Sequence, residues 1–424
     1  MLILLLVLLI LFFVIGTPIY IALSLPSFVN IMASGYGGMV MIQRFFGGID
    51  RFSLMAIPFF IFAANVMGRG GMSRRIIRLA EVFLGRFYGG SATATVVACL
   101  LFGALSGSSP ATVVAIGGIT YPMLLQSGYP KSFSAGLVAA SSSLAIIIPP
   151  SITMIVYAST AGCSVGDLFI AGIVPGIVMG VIFIVYSYLY AKKNGIRSTV
   201  HYTSKEKCKA LIDCLWALGV PIIILGGIYG GVFTPTESST VATVYAILVS
   251  MLIYKEMDIK ELMDTCFRSA LTTAQVMILV SAAGTLSWVL TVNQAQEIFS
   301  SIVGDFLSMP WVVLLIMNVI LILAGMFMDA VPFVLLLTPL FLPLFQQMGL
   351  SPIHLGMIMT VSGALGMYSP PFGLNIFVGM GTFKESFSMI ARAVIPFVFL
   401  GIVAMLLITY IPNLSLMLPA MMKG

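Results

Sequence analysis

The stretch Ile146-Ile147-Ile148-Pro149-Pro150-Ser151 puts two prolines in a row inside a long apolar segment, 132–163. Each proline removes a backbone N–H and leaves an upstream carbonyl without its helical donor. Inside a membrane such a break is tolerated only where it is buried in protein or lines a cavity. A simple proline kink is the alternative, and it loses ground because the chain repeats the break as Gly366-Met367-Tyr368-Ser369-Pro370-Pro371-Phe372-Gly373. A shift of 221 residues places Pro149 on Pro370, Pro150 on Pro371, Pro122 on Pro343 and Pro175 on Pro396. The same shift places Gly128 on Gly349 and Gly180 on Gly401, and a slightly different one brings Gly16-Thr17-Pro18 near Thr234-Pro235. Weak internal symmetry of this kind points to a secondary transporter built from two repeats.

The composition agrees. Of 424 residues, 60% are hydrophobic and 8% charged, where an ordinary soluble chain carries roughly 25% charged residues. The mean hydropathy is +1.13. This chain cannot cover itself with charged surface, which argues against soluble enzymes, nucleic-acid binders and disordered scaffolds. The natural solvent is a lipid bilayer. Apolar stretches of helix length fall near 1–33, 52–68, 90–127, 132–163, 167–191, 211–230, 236–254, 270–292, 311–347, 353–383 and 390–418. Residues 1–33 read either as one kinked helix or as two short spans meeting at Thr17-Pro18, and the repeat favours two. Met1 to Ile15 has no basic start and no small-residue cleavage site, so it reads as a membrane helix rather than a removed signal. The five cysteines form no CxxC pair and read as free thiols, without a transition-metal site.

Charge sets the sides. The net charge of +6 fits cytoplasmic loops enriched in Lys and Arg. Let Arg69 to Arg86 face the cytoplasm, and let 90–127 enter and return as a hairpin broken at Gly107 and Pro110. Lys131, Lys192 to Lys209 and Lys255 to Arg268 then also face inward. The next crossing, 270–292, ends outside, so the second hairpin, 311–347, opens outward. Lys384 and Arg392 return inside. Seventeen of the 20 basic residues are then cytoplasmic, and only Arg44, Arg51 and Lys423 lie outside. Full spans in place of hairpins scatter the basic loops over both faces. The expected fold is an all-α polytopic membrane protein with two inverted repeats, two re-entrant hairpins and broken helices, the build of an elevator-type secondary transporter.

The first hairpin tip, Ser106-Gly107-Ser108-Ser109-Pro110, offers hydroxyl and carbonyl oxygens in an otherwise apolar span. Such oxygens suit Na⁺, and they equally suit a Ser/Gly helix-packing patch. The second tip is Gly325-Met326-Phe327-Met328-Asp329-Ala330-Val331-Pro332, and the 221 shift drops Asp329 on Ser108. A lone carboxylate in hydrocarbon costs several kcal/mol and is functional by default. A helix N-cap or a neutral carboxyl is the competing reading. Asn375, after the second break, offers an amide to ion or solute. Thr234-Pro235-Thr236-Glu237 reads as a capping box, in preference to an ion ligand. His201 and His354 read as loop residues. The chain has no GxxxxGKS/T phosphate loop and no HExxH pattern, and a two-aspartate intramembrane protease would need a second deep Asp beside Asp329.

These residues resemble the large membrane (M, DctM-like) subunit of a tripartite ATP-independent periplasmic (TRAP) transporter over nearly the whole length. The carriers are Ala56-Ile57-Pro58-Phe59-Phe60, Ser106-Gly107-Ser108-Ser109 with Ala111-Thr112-Val113, and Ile148-Pro149-Pro150-Ser151. Further carriers are Gly231-Val232-Phe233-Thr234-Pro235-Thr236-Glu237, Gly325-Met326-Phe327-Met328-Asp329 and Pro370-Pro371-Phe372-Gly373. Two departures stand out: Ser369 where Thr is common, and Ser238-Ser239 where alanines are usual.

The resemblance implies a Na⁺-coupled importer of organic anions, C4-dicarboxylates or sialic acids, in the bacterial inner membrane. It implies a periplasmic substrate-binding protein and a small four-helix membrane subunit as partners, no nucleic acid, and no enzymatic activity. Its proposed mechanism is an elevator, with scaffold at 1–68 and 193–292, arm helices at 69–89 and 293–307, and a transport domain at 90–192 and 308–424. At least two Na⁺ sites follow. One takes Ser106, Ser108 and Ser109 with backbone at Ile148 and Pro149; the other takes Asp329 and Ala330 with backbone at Gly366, Tyr368 and Ser369. Ser108, Pro150, Ser151, Pro371 and Asn375 would face the substrate. One charge moving down 100 mV releases ~2.3 kcal/mol, so two or more Na⁺ beside a monoanion draw on the potential as well as the gradient. The rivals are a stand-alone Na⁺/dicarboxylate symporter of the same architecture, a channel, and a membrane-embedded enzyme using Asp329.

Overall fold

A computed structural model describes residues 1–84, 88–197, 202–295, 297 and 309–423, and among them the chain is helical. The N-terminal 33 residues form two helices, α1 (Leu2–Ile15) and α2 (Ile19–Ala33). Gly16 ends α1 with φ 77°, a left-handed turn that costs glycine nothing. Asn30 Nδ2 then donates to Met1 O at 3.0 Å, so α2 returns alongside α1. The chain continues through α3 (Gly38–Gly47), α4 (Ala56–Arg69) and α5 (Met72–Leu84). Helix α5 lies within the expected arm 69–89. It buries Ile76, Ile77 and Ala80, while Arg74 and Arg75 both pair with Glu256. Most of the expected second arm, 293–307, falls outside the described residues, as does His201.

Two runs of elements then share one plan. The first is a hairpin, α6 (Gly90–Ser106) and α7 (109–126, with a π turn at Val113–Gly117). A broken helix follows: α8 (Lys131–Ser142) extended by a 3-10 turn (Ser143–Ile146), a break, and α9 (Ile152–Ala161). The long helix α10 (Val165–Lys193) closes the run. After α11 (Ser204–Tyr229), α12 (Pro235–Leu248) and α13 (Ile259–Val292), the second run repeats the plan. Its hairpin is α14 (Pro310–Gly325) and α15 (Ala330–Gln347). Its broken helix is α16 (Pro352–Met367) and α17 (Leu374–Phe383), and its long helix is α18 (Phe387–Tyr410). The short α19 (Asn413–Lys423) ends the fold. Seven helical stretches of the described chain are long and apolar enough to cross a bilayer.

Helix α18 works as a ruler for the hairpins. It has 24 residues, about 36 Å at 1.5 Å per residue. Just before it, Glu385 sits 2.8 Å from Lys131 and accepts from Tyr121 Oη at 3.1 Å. This is the open end of the first hairpin, where the Ser91 and Ser127 hydroxyls meet at 2.8 Å. At its far end Tyr410 Oη donates to Trp311 O at 3.0 Å, at the open end of the second hairpin. The two hairpins therefore open toward opposite faces, and the repeats are inverted.

Helix α13 measures the charge distribution the same way. Asp264 near its start pairs with Arg69 at 2.6 Å. Trp288, about 36 Å further along, carries the Arg44 guanidinium 5.2 Å from its ring centre. The paired basic residues Arg69, Arg74, Arg75 and Arg78 gather at one end, and Arg44 sits at the other.

Close packing in lipid depends on small residues, because lipid tails are as apolar as the helices they would release. Helix α4 packs on α12 and α13, and Thr243 Oγ1 donates to Phe59 O at 2.9 Å across that seam. A Cβ on Gly284 would come within 2.9 Å of Gly48 Cα, so α13 meets the end of α3 backbone to backbone. His354 corrects the loop expectation. It lies in the first turn of α16, 1% exposed, with Nε2 3.2 Å from Thr409 O. Pro352 starts that helix half-buried, and Tyr157 Oη donates to its carbonyl.

Candidate functional site

Each hairpin tip sits on its own proline break. At the first tip, Gly107 turns the chain with φ 56°. A Cβ there would lie 2.7 Å from Pro150 O and 3.3 Å from Ser151 Cα, so the tip rests against the double proline. One turn earlier, a Cβ on Gly103 would come within 2.6 Å of Ala145 Cα. At the second tip, a Cβ on Gly366 would collide with the Gly325 backbone, and one on Gly325 would lie 3.4 Å from Gly366 Cα. The 221 shift places Ala145 on Gly366, so the two close approaches are repeat mates within a residue. Both double prolines carry a cis bond.

Of the expected ligands of the first site, Ser106 and Ser108 lie together at the tip, while the Ser109 hydroxyl turns to Asn375. Ser108 is the N-cap of the returning helix α7, whose first four amides have no intrahelical acceptor. Ser106 Oγ lies 3.1 Å from Thr112 Oγ1 and 3.4 Å from Ser108 N, and Thr112 Oγ1 donates to Ser108 O at 2.9 Å. Thr112 thus ties the tip together, a role the sequence reading did not assign. In the facing break, the hydroxyl of Ser151 caps α9 by accepting from Met154 N and donates to Ile146 O at 2.6 Å. The carbonyl of Ile146, freed by the prolines, is thereby answered by a serine hydroxyl. Ser106, Ser109 and Ser151 are each 2% exposed or less.

The second site is assembled from the same parts with one substitution of chemistry. Asp329 is the N-cap of α15, and its Oδ1 accepts from Ala330 N at 2.6 Å. The half-buried carboxylate therefore performs the capping role held open as its alternative, at the position where the first repeat uses Ser108. A carboxylate at a helix start is favoured by the helix dipole. In the facing break Ser369 Oγ donates to Leu365 O at 2.6 Å, and Tyr368 is fully buried with its hydroxyl 3.3 Å from Phe397 O.

At the site itself a pair of bonds joins the repeats. Ser109 Oγ donates to Asn375 Oδ1 at 2.9 Å, and Asn375 Nδ2 donates to Ala139 O at 2.7 Å. The tip of the first hairpin, the second break and the helix before the first break thus meet at one buried amide. Asn375 was singled out by its position after the break; the partners it chose were not legible in the sequence. Pro371 lies at the second break, and the neighbouring Phe372 ring is tilted against Phe327 of the second tip with ring centres 5.4 Å apart. The Glu237 carboxylate, by contrast, is engaged in its capping box, accepting from Thr234 N at 2.8 Å while Glu237 N donates to Thr234 Oγ1.

The arrangement offers hydroxyls, carbonyls, one carboxylate and several helix N-termini at the meeting of two hairpins and two breaks. Oxygen donors of this kind suit a hard monovalent cation, and helix N-termini suit an anionic group.

Comparison with known proteins gives the family. The family model for the DctM component of tripartite ATP-independent periplasmic transporters matches residues 2–414. The C4-dicarboxylate TRAP transporter large permease DctM of Pseudomonas aeruginosa is 40% identical over 89% of this chain and 88% of its own. The ectoine TRAP transporter large permease TeaC of Halomonas elongata is 38% identical over 95% of each. The isethionate TRAP transporter permease DctMQ of Oleidesulfovibrio alaskensis is 38% identical over 96% of this chain, which spans 64% of its length. Among solved structures, the Alcanivorax borkumensis YdaH transporter, described as having an unusual topology, aligns with a TM-score of 0.63 and 12% identity over 90% of this chain and 87% of its own, a likeness of fold. A polytopic helical fold with inverted, interrupted repeats and a match along nearly the whole chain lead to one conclusion: this protein belongs to the TRAP transporter large permease (DctM) family, inner-membrane transport proteins rather than enzymes.

Proposed function

We propose that the chain is the Na⁺-coupled permease of an importer that takes an organic anion from a periplasmic substrate-binding protein and works beside a small four-helix membrane subunit. The observation that supports this best is the junction at Asn375, where the first tip and the second break are held by bonds of 2.9 and 2.7 Å. A shared junction lets ion occupancy of both tips be felt at one place. In this reading Ser106, Ser108 and Ser109 with the Ile148 and Pro149 carbonyls hold one Na⁺. Asp329 and Ala330 with backbone at Gly366, Tyr368 and Ser369 hold another. Ser108, Pro150, Ser151, Pro371 and Asn375 face the cargo.

The hairpins and broken helices form the moving body of an elevator, and α1 to α4 with α11 to α13 form the fixed one. A cation at each tip offsets the charge repulsion between Asp329 and an anionic cargo. The cargo belongs to the C4-dicarboxylate or sialic acid class. Relatives at similar identity are named for C4-dicarboxylates, ectoine and isethionate, so overall similarity does not select among such solutes.

The test is uptake into proteoliposomes holding the chain with its small subunit, supplied with loaded binding protein. Radiolabelled succinate or sialic acid should accumulate above equilibrium under an inward Na⁺ gradient. Accumulation that ignores Na⁺ defeats the coupling, and equally strong uptake of free solute by the chain alone would favour a stand-alone symporter.

A further inference from the structure

A cavity of about 310 Å³ opens between α3, α13 and the far end of α9, on the face opposite the paired basic loops. Arg44, Arg51, Gln43, Trp288, Thr291 and Ser159 line it. Among the described residues, Arg69 and Arg268 share Asp264, Arg74 and Arg75 share Glu256, and Arg78 has Glu81. Arg44 and Arg51, like Arg197 and Arg392 elsewhere, have no ion pair among the described residues, and Asp50, next to Arg51 in the chain, does not line the cavity.

Their actual contacts leave charge to spare. Arg44 lies with its guanidinium carbon 5.2 Å from the Trp288 ring centre. A guanidinium set over an aromatic ring, with no carboxylate partner, has N–H donors to offer a planar bidentate acceptor. Arg51 Nη1 donates to Ser159 O, a neutral acceptor in the last turn of α9. The other end of α9 is Ser151, at the first proline break. Eight residues separate Ser151 from Ser159, about 12 Å along the helix. The cavity and the candidate site therefore lie at opposite ends of one short helix.

We propose that this cavity is a second anion station, which takes the carboxylate of a small organic anion between Arg44 and Arg51 before it reaches the hairpin tips. The proposal rests on the reading of the chain as an organic-anion importer. A carboxylate is a stronger acceptor for Arg51 than the Ser159 carbonyl, because a charged acceptor roughly doubles the strength of the bond. Arrival of the anion draws Arg51 off the end of α9. Two unpaired positive charges at a mouth also raise the local concentration of anions, an effect that salt screens.

Trp288 reports on the site directly. The chain has three tryptophans, so Trp216→Phe with Trp311→Phe leaves Trp288 as the only indole. The purified chain in detergent, without Na⁺ and at fixed ionic strength, is titrated with succinate and with neutral succinamide. Succinate should change Trp288 emission saturably and succinamide should not. Arg44→Gln or Arg51→Gln should weaken succinate about tenfold, the loss of a charge-assisted bond. No saturable response, or equal affinity when Arg44→Gln and Arg51→Gln are combined, overturns the station. Should a glutamine variant fail to fold, Arg44→Lys takes its place, keeping the charge without the fork; unchanged affinity there overturns the bidentate contact. Because this binding needs no Na⁺, its loss is distinguishable from a failure of Na⁺-coupled uptake, which would defeat the functional reading alone.

Discussion

At the first hairpin tip the turn is made by Gly107 and the returning helix is capped by Ser108; at the second the turn runs through Met326 to Met328 and the cap is Asp329. Both tips press on a double-proline break, and both do so through small residues: Gly103 and Gly107 at one, Gly325 and Gly366 at the other. The first tip is neutral and knitted by hydroxyls from Ser106, Thr112 and Ser109. The second brings a carboxyl group, which accepts from Ala330 N. The backbone plan is thus duplicated while the chemistry has diverged. A neutral tip can lie beside an anionic cargo at no electrostatic cost, whereas a carboxylate tip needs a cation to do so.

The sharpest way to break the comparison is topological. Single cysteines at Ser127 and Met348, in a background without the five native thiols, should label from opposite membrane sides, all or none. Labelling from one side would end the inverted pairing. Next comes packing. Gly366→Ala drives a methyl into the Gly325 backbone, and overpacking of this sort costs about 1–3 kcal/mol. Gly363→Ala meets only Ala330 Cβ and Phe333 at 3.5 Å or more and should be tolerated. Thermal unfolding in detergent compares the two.

The charge difference predicts a functional asymmetry. Asp329→Asn should raise the Na⁺ concentration for half-maximal uptake about tenfold, a loss near 1.4 kcal/mol. Ser108→Ala should raise it less, since it removes one neutral ligand. Equal Na⁺ curves for both variants and the parent would remove the ion assignment. Asn375→Ala strips the junction of both bonds and should lower stability by about 2 kcal/mol, more than Ser109→Ala at about 1 kcal/mol. Denaturant midpoints measure both.

The smallest effect belongs to Glu385, in the loop before α18. Lys131, bonded to it, holds this carboxyl below the ordinary range against the opposing pull of burial, and Tyr121 adds to the lowering. A depressed folded-state value stabilises above the unfolded carboxylate pKa near ~4.3, and that contribution disappears as pH falls through the folded value. Glu385→Gln should therefore lower the melting temperature slightly at pH 7, and the gap should close at pH 3.

Much of this was legible without coordinates. Apolar length and the scarcity of charge place the chain in a bilayer, because backbone groups in lipid must be satisfied within their own helix. The proline pairs at 149–150 and 370–371 mark the breaks, because proline removes donors wherever it sits. Counting Lys and Arg, a rule that needs no contacts, sets the Arg69 to Arg86 loop on the face opposite Arg44, and the helices separate them in the same way. Tertiary structure alone decided the rest. His354 reads as a loop residue beside Pro352 and is instead buried, since burial depends on what packs from elsewhere in the chain. The bond from Ser109 to Asn375 spans 266 residues, and no local pattern encodes which amide a hydroxyl will find. Arg44 and Arg51 read as stray outer charges, and only the approach of α9 and α13 turns them into the wall of a cavity. Local chemistry follows from the order of residues; a site depends on distance, and distance is set by how the helices pack.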